Sequence, residues 1–217
     1  TRYWRDWSSD VCSSDLFDRP GSKNNCLITA KTPLPSDYHP EIDTSDELSS
    51  TDAAYYQSLI GILRWIVELG RVDIVAEVSI MSSCLALPRE DHLRKLFQIF
   101  GYLKSHANSE LVLDPYPPLW WDEKDDKFPR KDWTGTPYFT GESSLECKRP
   151  RGAPAPLGQT VIMSAFCDSD HAGCKLTRRS YTGFLVYVQN SLIHWFSKKQ
   201  GSVETSTFGS EFVAKKQ

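Results

Sequence analysis

The chain has 217 residues, 40% of them hydrophobic, and a formal net charge of −3. That fraction suits one or two globular domains, and the near-neutral charge excludes a wholesale polycation built for nucleic acid or acidic membrane. The six cysteines (Cys12, Cys26, Cys84, Cys147, Cys167 and Cys174) form no C-x-x-C pair, which speaks against structural zinc and for reduced thiols in a soluble, intracellular protein.

In chain order, "RDWSSDVCSSDL" within residues 1–16 has neither helical nor strand periodicity. It closely resembles the in-frame read-through of a DNA sequencing-library adapter, so residues 1–16 are set apart from the fold as not natural protein. Residues 17–50, with "TPLP", "YHPE" and "DTSDELSS", are rich in Pro and turn formers and predict an extended, irregular lead. From 51 to 110 the period becomes helical. "STDAAYYQSLIGILRWIVELG" offers Ser50 or Thr51 as N-cap and Gly70 as stop, with Leu59, Leu63 and Ile66 on one stripe. A second helix is expected from about Val72 to Leu85, and a third after Pro88, with Leu93, Leu96, Phe97, Phe100 and Leu103 on its apolar face. Arg64 and Glu68 interrupt the best apolar run, so no membrane span is expected. Trp65, beside Ile and Val, is expected in the core.

Residues 111–160 read as a Pro- and Trp-rich connector carrying Trp120, Trp121 and Trp133. From 161 to 217 the period is two. "TVIMSAFCD", "SYTGFLVYVQ" and "SLIHWFSK" predict three strands, with "QNS" as a tight hairpin turn. His194 is expected as a half-buried strand residue. A final helix, capped by Thr205 or Ser206, is expected to lay Phe208 and Phe212 on the sheet. The fold class is therefore α+β: a small helical bundle followed by a sheet and one helix.

"CDSDHAG" ends the first strand, expected to be central, at Asp168 and Asp170. Adjacent carboxylates repel unless water, a donor or a cation offsets them. Glu211 lies three residues past Phe208, near the buried stripe of the last helix, where a carboxylate needs a partner. Asp168 and Glu211 sharing a divalent cation would supply one, and Mg²⁺ favours oxygen ligands plus water. Between Lys175 and Gln217 stand seven Lys or Arg against two Glu. Arg178, Arg179, Lys198 and Lys199 are the candidates for phosphate contact, with an ordinary solvated surface as the plain alternative.

Strand, hairpin and Glu-bearing helix in this order resemble the ribonuclease H fold. More specifically, "CDSDHAG", "RRSYTGFLVYV" and "IHWFSKKQGSVETSTFGSEFVA" resemble the ribonuclease H domain of copia-type LTR retrotransposon Pol polyproteins. "YYQSLIGILRWIVELGRVDIVAEVSIMSS" and "LPREDHLRKLFQIFGYLKSH" are similar to the end of the reverse transcriptase in the same polyproteins, its thumb or connection region. The resemblance spans roughly 38–217. It implies a nuclease that cuts the RNA strand of an RNA–DNA hybrid with two Mg²⁺ ions, with Asp168 and Glu211 as catalytic metal ligands. Asp170 takes a solvent or structural role. Cys174 stands where the family often has an acid after "AG", and Gly209 where Glu is frequent.

The resemblance also implies a truncated domain. The family's later aspartates fall beyond Gln217, and no palm "DD" preceded by Tyr-x occurs before residue 50. The chain alone is therefore expected to be inactive. In the parent, the implied partners are template-primer or hybrid nucleic acid and the remainder of Pol, with no membrane, in a cytoplasmic virus-like particle. Two other readings stand beside this one: an inert pseudogene or assembly fragment, and a non-catalytic nucleic-acid-binding module.

Overall fold

The structure, a computed structural model, describes residues 29–118 and 161–216 together with Gly152 and Gly158. The adapter-like stretch, part of the lead and most of the connector, with Trp120, Trp121 and Trp133, lie outside the described residues.

The first helix, α1, spans Ser50–Glu68. Ser49, rather than the expected Ser50 or Thr51, caps it: its Oγ accepts from the Asp52 N–H at 3.2 Å and donates to the Asp52 carboxylate at 2.7 Å, which satisfies an orphan donor of the first turn. The chain turns out of α1 at Gly70, whose φ of 120° few side chains tolerate. The expected second helix is shorter than its sequence pattern. A 3₁₀ turn, Val72–Ile74, leads into α2, Val75–Ser82. The third helix, α3, runs Glu90–Ser105. Leu59, Ile60, Leu63, Ile74, Met81, Leu96, Ile99 and Phe100 are all essentially sealed from solvent. Each such side chain contributes about 1.5–3 kcal/mol on burial, an upper estimate against a compact unfolded chain. The Tyr56 hydroxyl is buried with them and donates to the Met81 carbonyl at 2.8 Å. Trp65, expected in this core, is 52% exposed. The apolar stripe of α1 is completed by Ile66 and Val67, leaving Trp65 on the flank.

The lead is more structured than its composition suggests. It contains a 3₁₀ turn at Pro40–Ile42 and a bridge from Glu47 to Arg89. His92, buried on α3, accepts from the Arg89 N–H on Nδ1 at 3.1 Å, so Nε2 carries the proton and donates to the Pro40 carbonyl at 2.9 Å. Ser45 Oγ accepts from the Asp91 N–H at 3.0 Å. These bonds lash the lead onto the start of α3.

The sheet is an antiparallel meander of β1 (Met163–Asp170), β2 (Tyr181–Val188) and β3 (Ser191–Lys199). Thus β2 is central and β1 is an edge among the described residues, not the central strand expected. The hairpin turn is Gln189–Asn190, with Gln189 at φ 57°. A register shift beside Val186 leaves Ile193 unpaired. The last helix, α4, spans Thr207–Lys216, and Ser206 Oγ accepts from the Gly209 N–H at 3.1 Å as its cap.

Each face of the sheet meets a different element. On one face, the Trp195 indole donates to the Val67 carbonyl at 3.0 Å and packs against the bundle core. On the other, α4 lies along β1. Phe208 and Phe212 do not do the packing, being 78% and 61% exposed; Ser210 and Ala214 are buried in their place. Those two are also four residues apart and share a helix face, and their small side chains let the helix approach closely. Beyond α3, Asp114 reaches the hairpin: its side chain accepts from Asn190 at 3.0 Å and its carbonyl from Ser191 Oγ at 2.9 Å.

Candidate functional site

The pleat decides where each side chain of β1 goes. Successive residues point to opposite faces, so Cys167 and Ser169 look toward α4 while Asp168 and Asp170 project from the face that meets the bundle. The register confirms the partition. Ser169 stands opposite Thr182, and both reach Gln200; Asp168 stands opposite Gly183, whose missing side chain leaves open space beside the carboxylate.

Beneath β1, Gln200 is buried, and its Nε2 lies 3.2 Å from Ser169 Oγ, 3.0 Å from Thr182 Oγ1 and 3.0 Å from the Ser210 carbonyl. One amide therefore ties the strand bearing Asp168 to the helix bearing Glu211. Nothing in the local sequence singles out Gln200. Its importance comes from three elements meeting at one point.

Asp168 is exposed, and one of its oxygens accepts from the Ser169 N–H at 2.9 Å. Glu211 is half-buried on α4. Both carboxylates are felt at Cys167. Burial raises that thiol above its ordinary value, the Glu211 and Asp168 charges push it further, and Lys215 pulls against them. The two acids thus flank β1, Asp168 from one face and Glu211 from the other. Among the described residues no group of three or more His, Cys, Asp or Glu is arranged to hold a metal.

Asp170 is exposed, and its carboxylate lies over Gly173 in the loop that follows. A Cβ on Gly173 would overlap the Asp170 carboxylate, which would have to swing aside to admit one. Ala172, at φ 55°, donates its N–H to buried Ser180 Oγ at 3.0 Å.

The four candidate phosphate contacts divide. Arg178, Arg179 and Lys198 are exposed. Lys199 is engaged: its Nζ donates to Cys174 Sγ at 3.2 Å and lies 5.3 Å from the centre of the Tyr181 ring. His194, expected half-buried, is exposed, with its ring 6.1 Å from that of Phe196. The unpaired Ile193 accompanies it on the outer edge of the hairpin.

Compared with known proteins, the chain is 46% identical over 52 residues to "Uncharacterized mitochondrial protein AtMg00810" of Arabidopsis thaliana, covering 24% of this chain and 22% of that protein. It is 26% identical over 190 residues to "Retrovirus-related Pol polyprotein from transposon RE1" of the same plant, covering 86% of this chain and 10% of the polyprotein. To the corresponding polyprotein from transposon RE2 it is 22% identical over 191 residues, with 88% and 10% covered. The chain therefore spans about a tenth of the Pol polyproteins it matches and about a fifth of the mitochondrial protein. No family model and no solved structure matches it. No helix among the described residues is long and apolar enough to cross a membrane.

Proposed function

From the premise that this chain belongs with the copia-type retrotransposon Pol polyproteins, we propose that it joins the helical end of a reverse transcriptase to a ribonuclease H-like sheet acting on RNA–DNA hybrids. The observation that carries this reading is the arrangement at β1: a carboxylate on the first strand of a meander, and a helix after the third strand that brings a second carboxylate to the same strand, both acting on Cys167. Asp168 and Glu211 would hold a divalent cation, whose chemistry when bound is to activate the attacking water and stabilise the leaving oxygen. Their own task is to offer oxygen ligands at β1, with Gly183 leaving room beside Asp168. Gln200 positions both by fixing α4 to the sheet.

Arg178, Arg179 and Lys198 would contact hybrid phosphates, supplying affinity without reading sequence. Asp168 and Glu211 by themselves offer too few fixed oxygens for two octahedral ions, so binding of the hybrid without cleavage is expected.

Incubation of the chain with labelled RNA–DNA hybrid and Mg²⁺ tests both halves. Three phosphate contacts predict roughly a fortyfold loss of affinity between about 50 and about 200 mM salt. The salt dependence should flatten when Arg178 and Arg179 are both changed to Gln, and no cleavage should appear. Absence of binding at every salt concentration would favour the inert-fragment reading. Cleavage abolished by Asp168→Asn would overturn the assignment of the chain as inactive alone.

A further inference from the structure

Lys199 and Cys174 meet on the far side of the sheet from α4, beside the bundle. Cys174 is 1% exposed and Lys199 is partly exposed. The 3.2 Å contact between Nζ and Sγ is held from both ends. The Cys174 N–H donates to the Arg179 carbonyl at 3.1 Å, and the Cys174 carbonyl accepts from the Arg178 N–H at 2.8 Å, which closes the loop around the thiol. Lys199 is paired across the sheet with Tyr181 and lies over its ring. Burial alone would raise the thiol. Hydrogen bonds from Thr177 and Lys199 outweigh it and hold Cys174 below its ordinary value, while Lys199 is raised by the same contact against its own desolvation.

We propose that Cys174 and Lys199 form a peroxide-responsive modification site, in which the oxidised sulfur is captured by the lysine nitrogen as a reversible S–N bond. A thiolate is the reactive form of cysteine, and a neighbouring ammonium favours it. The sulfur attacks one oxygen of hydrogen peroxide and the O–O bond breaks, giving sulfenic acid and hydroxide; sulfur loses two electrons and peroxide gains them. The hydroxide takes a proton from the Lys199 ammonium and leaves as water. The freed amine attacks the sulfenic sulfur, the S–O bond breaks, and the departing hydroxide takes the second proton. Thiolate, ammonium and one peroxide thus become a sulfenamide and two waters, the condensation that a sulfenic acid undergoes with a nearby nitrogen. Because Cys174 is sealed from solvent and the amine is in contact with it, proximity favours internal capture over attack by a bulky external thiol. The product nitrogen is uncharged. The modification therefore removes one cation from beside the bundle and leaves Arg178, Arg179 and Lys198 as they are.

Peptide mass mapping of the whole chain after hydrogen peroxide decides the matter without any nucleic acid. Expected is a pair of peptides joined through Cys174 and Lys199, about 2 Da lighter than their sum and separated again by dithiothreitol. In Lys199→Arg, which keeps the charge but removes the primary amine, the joined pair is lost. When the peroxide-treated proteins are unfolded in the presence of dimedone, so that the sealed sulfur becomes reachable, trapping of Cys174 sulfenic acid should then rise about tenfold. An unoxidised Cys174, equal dimedone trapping in both proteins, or a disulfide from Cys174 to Cys84 in place of the S–N link would each overturn the proposal.

Discussion

The bundle and the sheet are stabilised by different means. The bundle seals large apolar side chains, Leu59, Leu63, Leu96, Ile99 and Phe100 among them, in one continuous core. In the 161–216 region the buried set consists of Ser180, Thr182, Gln200 and Ser210 with Ala172, Cys174, Leu192 and Ala214, while Met163, Phe166, Ile193, Phe208 and Phe212 stay exposed. The first region stands on non-directional burial, which tolerates small rearrangements. The second stands on a few directional hydrogen bonds and on Trp195, which anchors β3 to the bundle. A hydrogen bond adds only about 1 kcal/mol net, yet leaving its buried partner unsatisfied costs more. The sheet should therefore fail at single polar atoms, and the bundle only through lost volume.

The largest effect should come from the bundle. Phe100→Ala opens a cavity in the sealed core and is expected to cost about 3–5 kcal/mol, read as a lower urea midpoint for the whole chain. Survival of the bundle's helical signal with little change would remove the contrast drawn here. Next in size, Gln200→Ala strands Ser169, Thr182 and the Ser210 carbonyl together, at about 1–3 kcal/mol. Hydrogen exchange should quicken in β1 and α4 and stay slow in α1 and α3; uniform quickening would show that the two regions unfold as one.

The smallest effect sharpens the electrostatic side of the comparison. Cys84, beside the bundle, is raised chiefly by burial, with Glu41 and Asp43 adding to it and Ser83 and Lys199 opposing; Cys167 is raised by burial and then by Glu211 and Asp168. Removing one negative charge lowers the Cys167 thiol toward its ordinary value and enlarges its thiolate fraction at any pH below that value. Glu211→Gln should therefore speed Cys167 alkylation by about two- to fivefold at mildly alkaline pH, while Cys84 is unchanged. Equal rates at Cys167 in both proteins would separate Glu211 from β1 and with it the shared-site reading.

The legibility of the two regions differed for the same physical reason. Periodicity located α1 and α3 and the stop at Gly70, and placed the α1 cap one or two residues late, at Ser50 or Thr51 where Ser49 serves, because stops and the stripe through Leu59, Leu63 and Ile66 act within a few residues of themselves. It failed at Trp65, whose apolar neighbours said nothing about which flank the bundle covers. Strand alternation located β1, β2, β3 and the Gln189–Asn190 turn. It misjudged α4, where aromatic size pointed to Phe208 and Phe212 and close packing selected Ser210 and Ala214. No local pattern marks Gln200 as a hub or Lys199 as the partner of Cys174, since their partners are 10 to 31 residues away.

The sequence by itself determined the helical and strand segments, their order, the two acids on β1 and the glutamate after the third strand, because propensity, capping and alternation are short-range forces. Tertiary structure alone decided that β1 lies at an edge among the described residues, that Asp168 and Glu211 approach it from opposite faces, and that one lysine turns inward to a thiol. Those outcomes depend on which faces are covered and which polar atoms must find partners once water is gone, and such conditions exist only after distant segments have met.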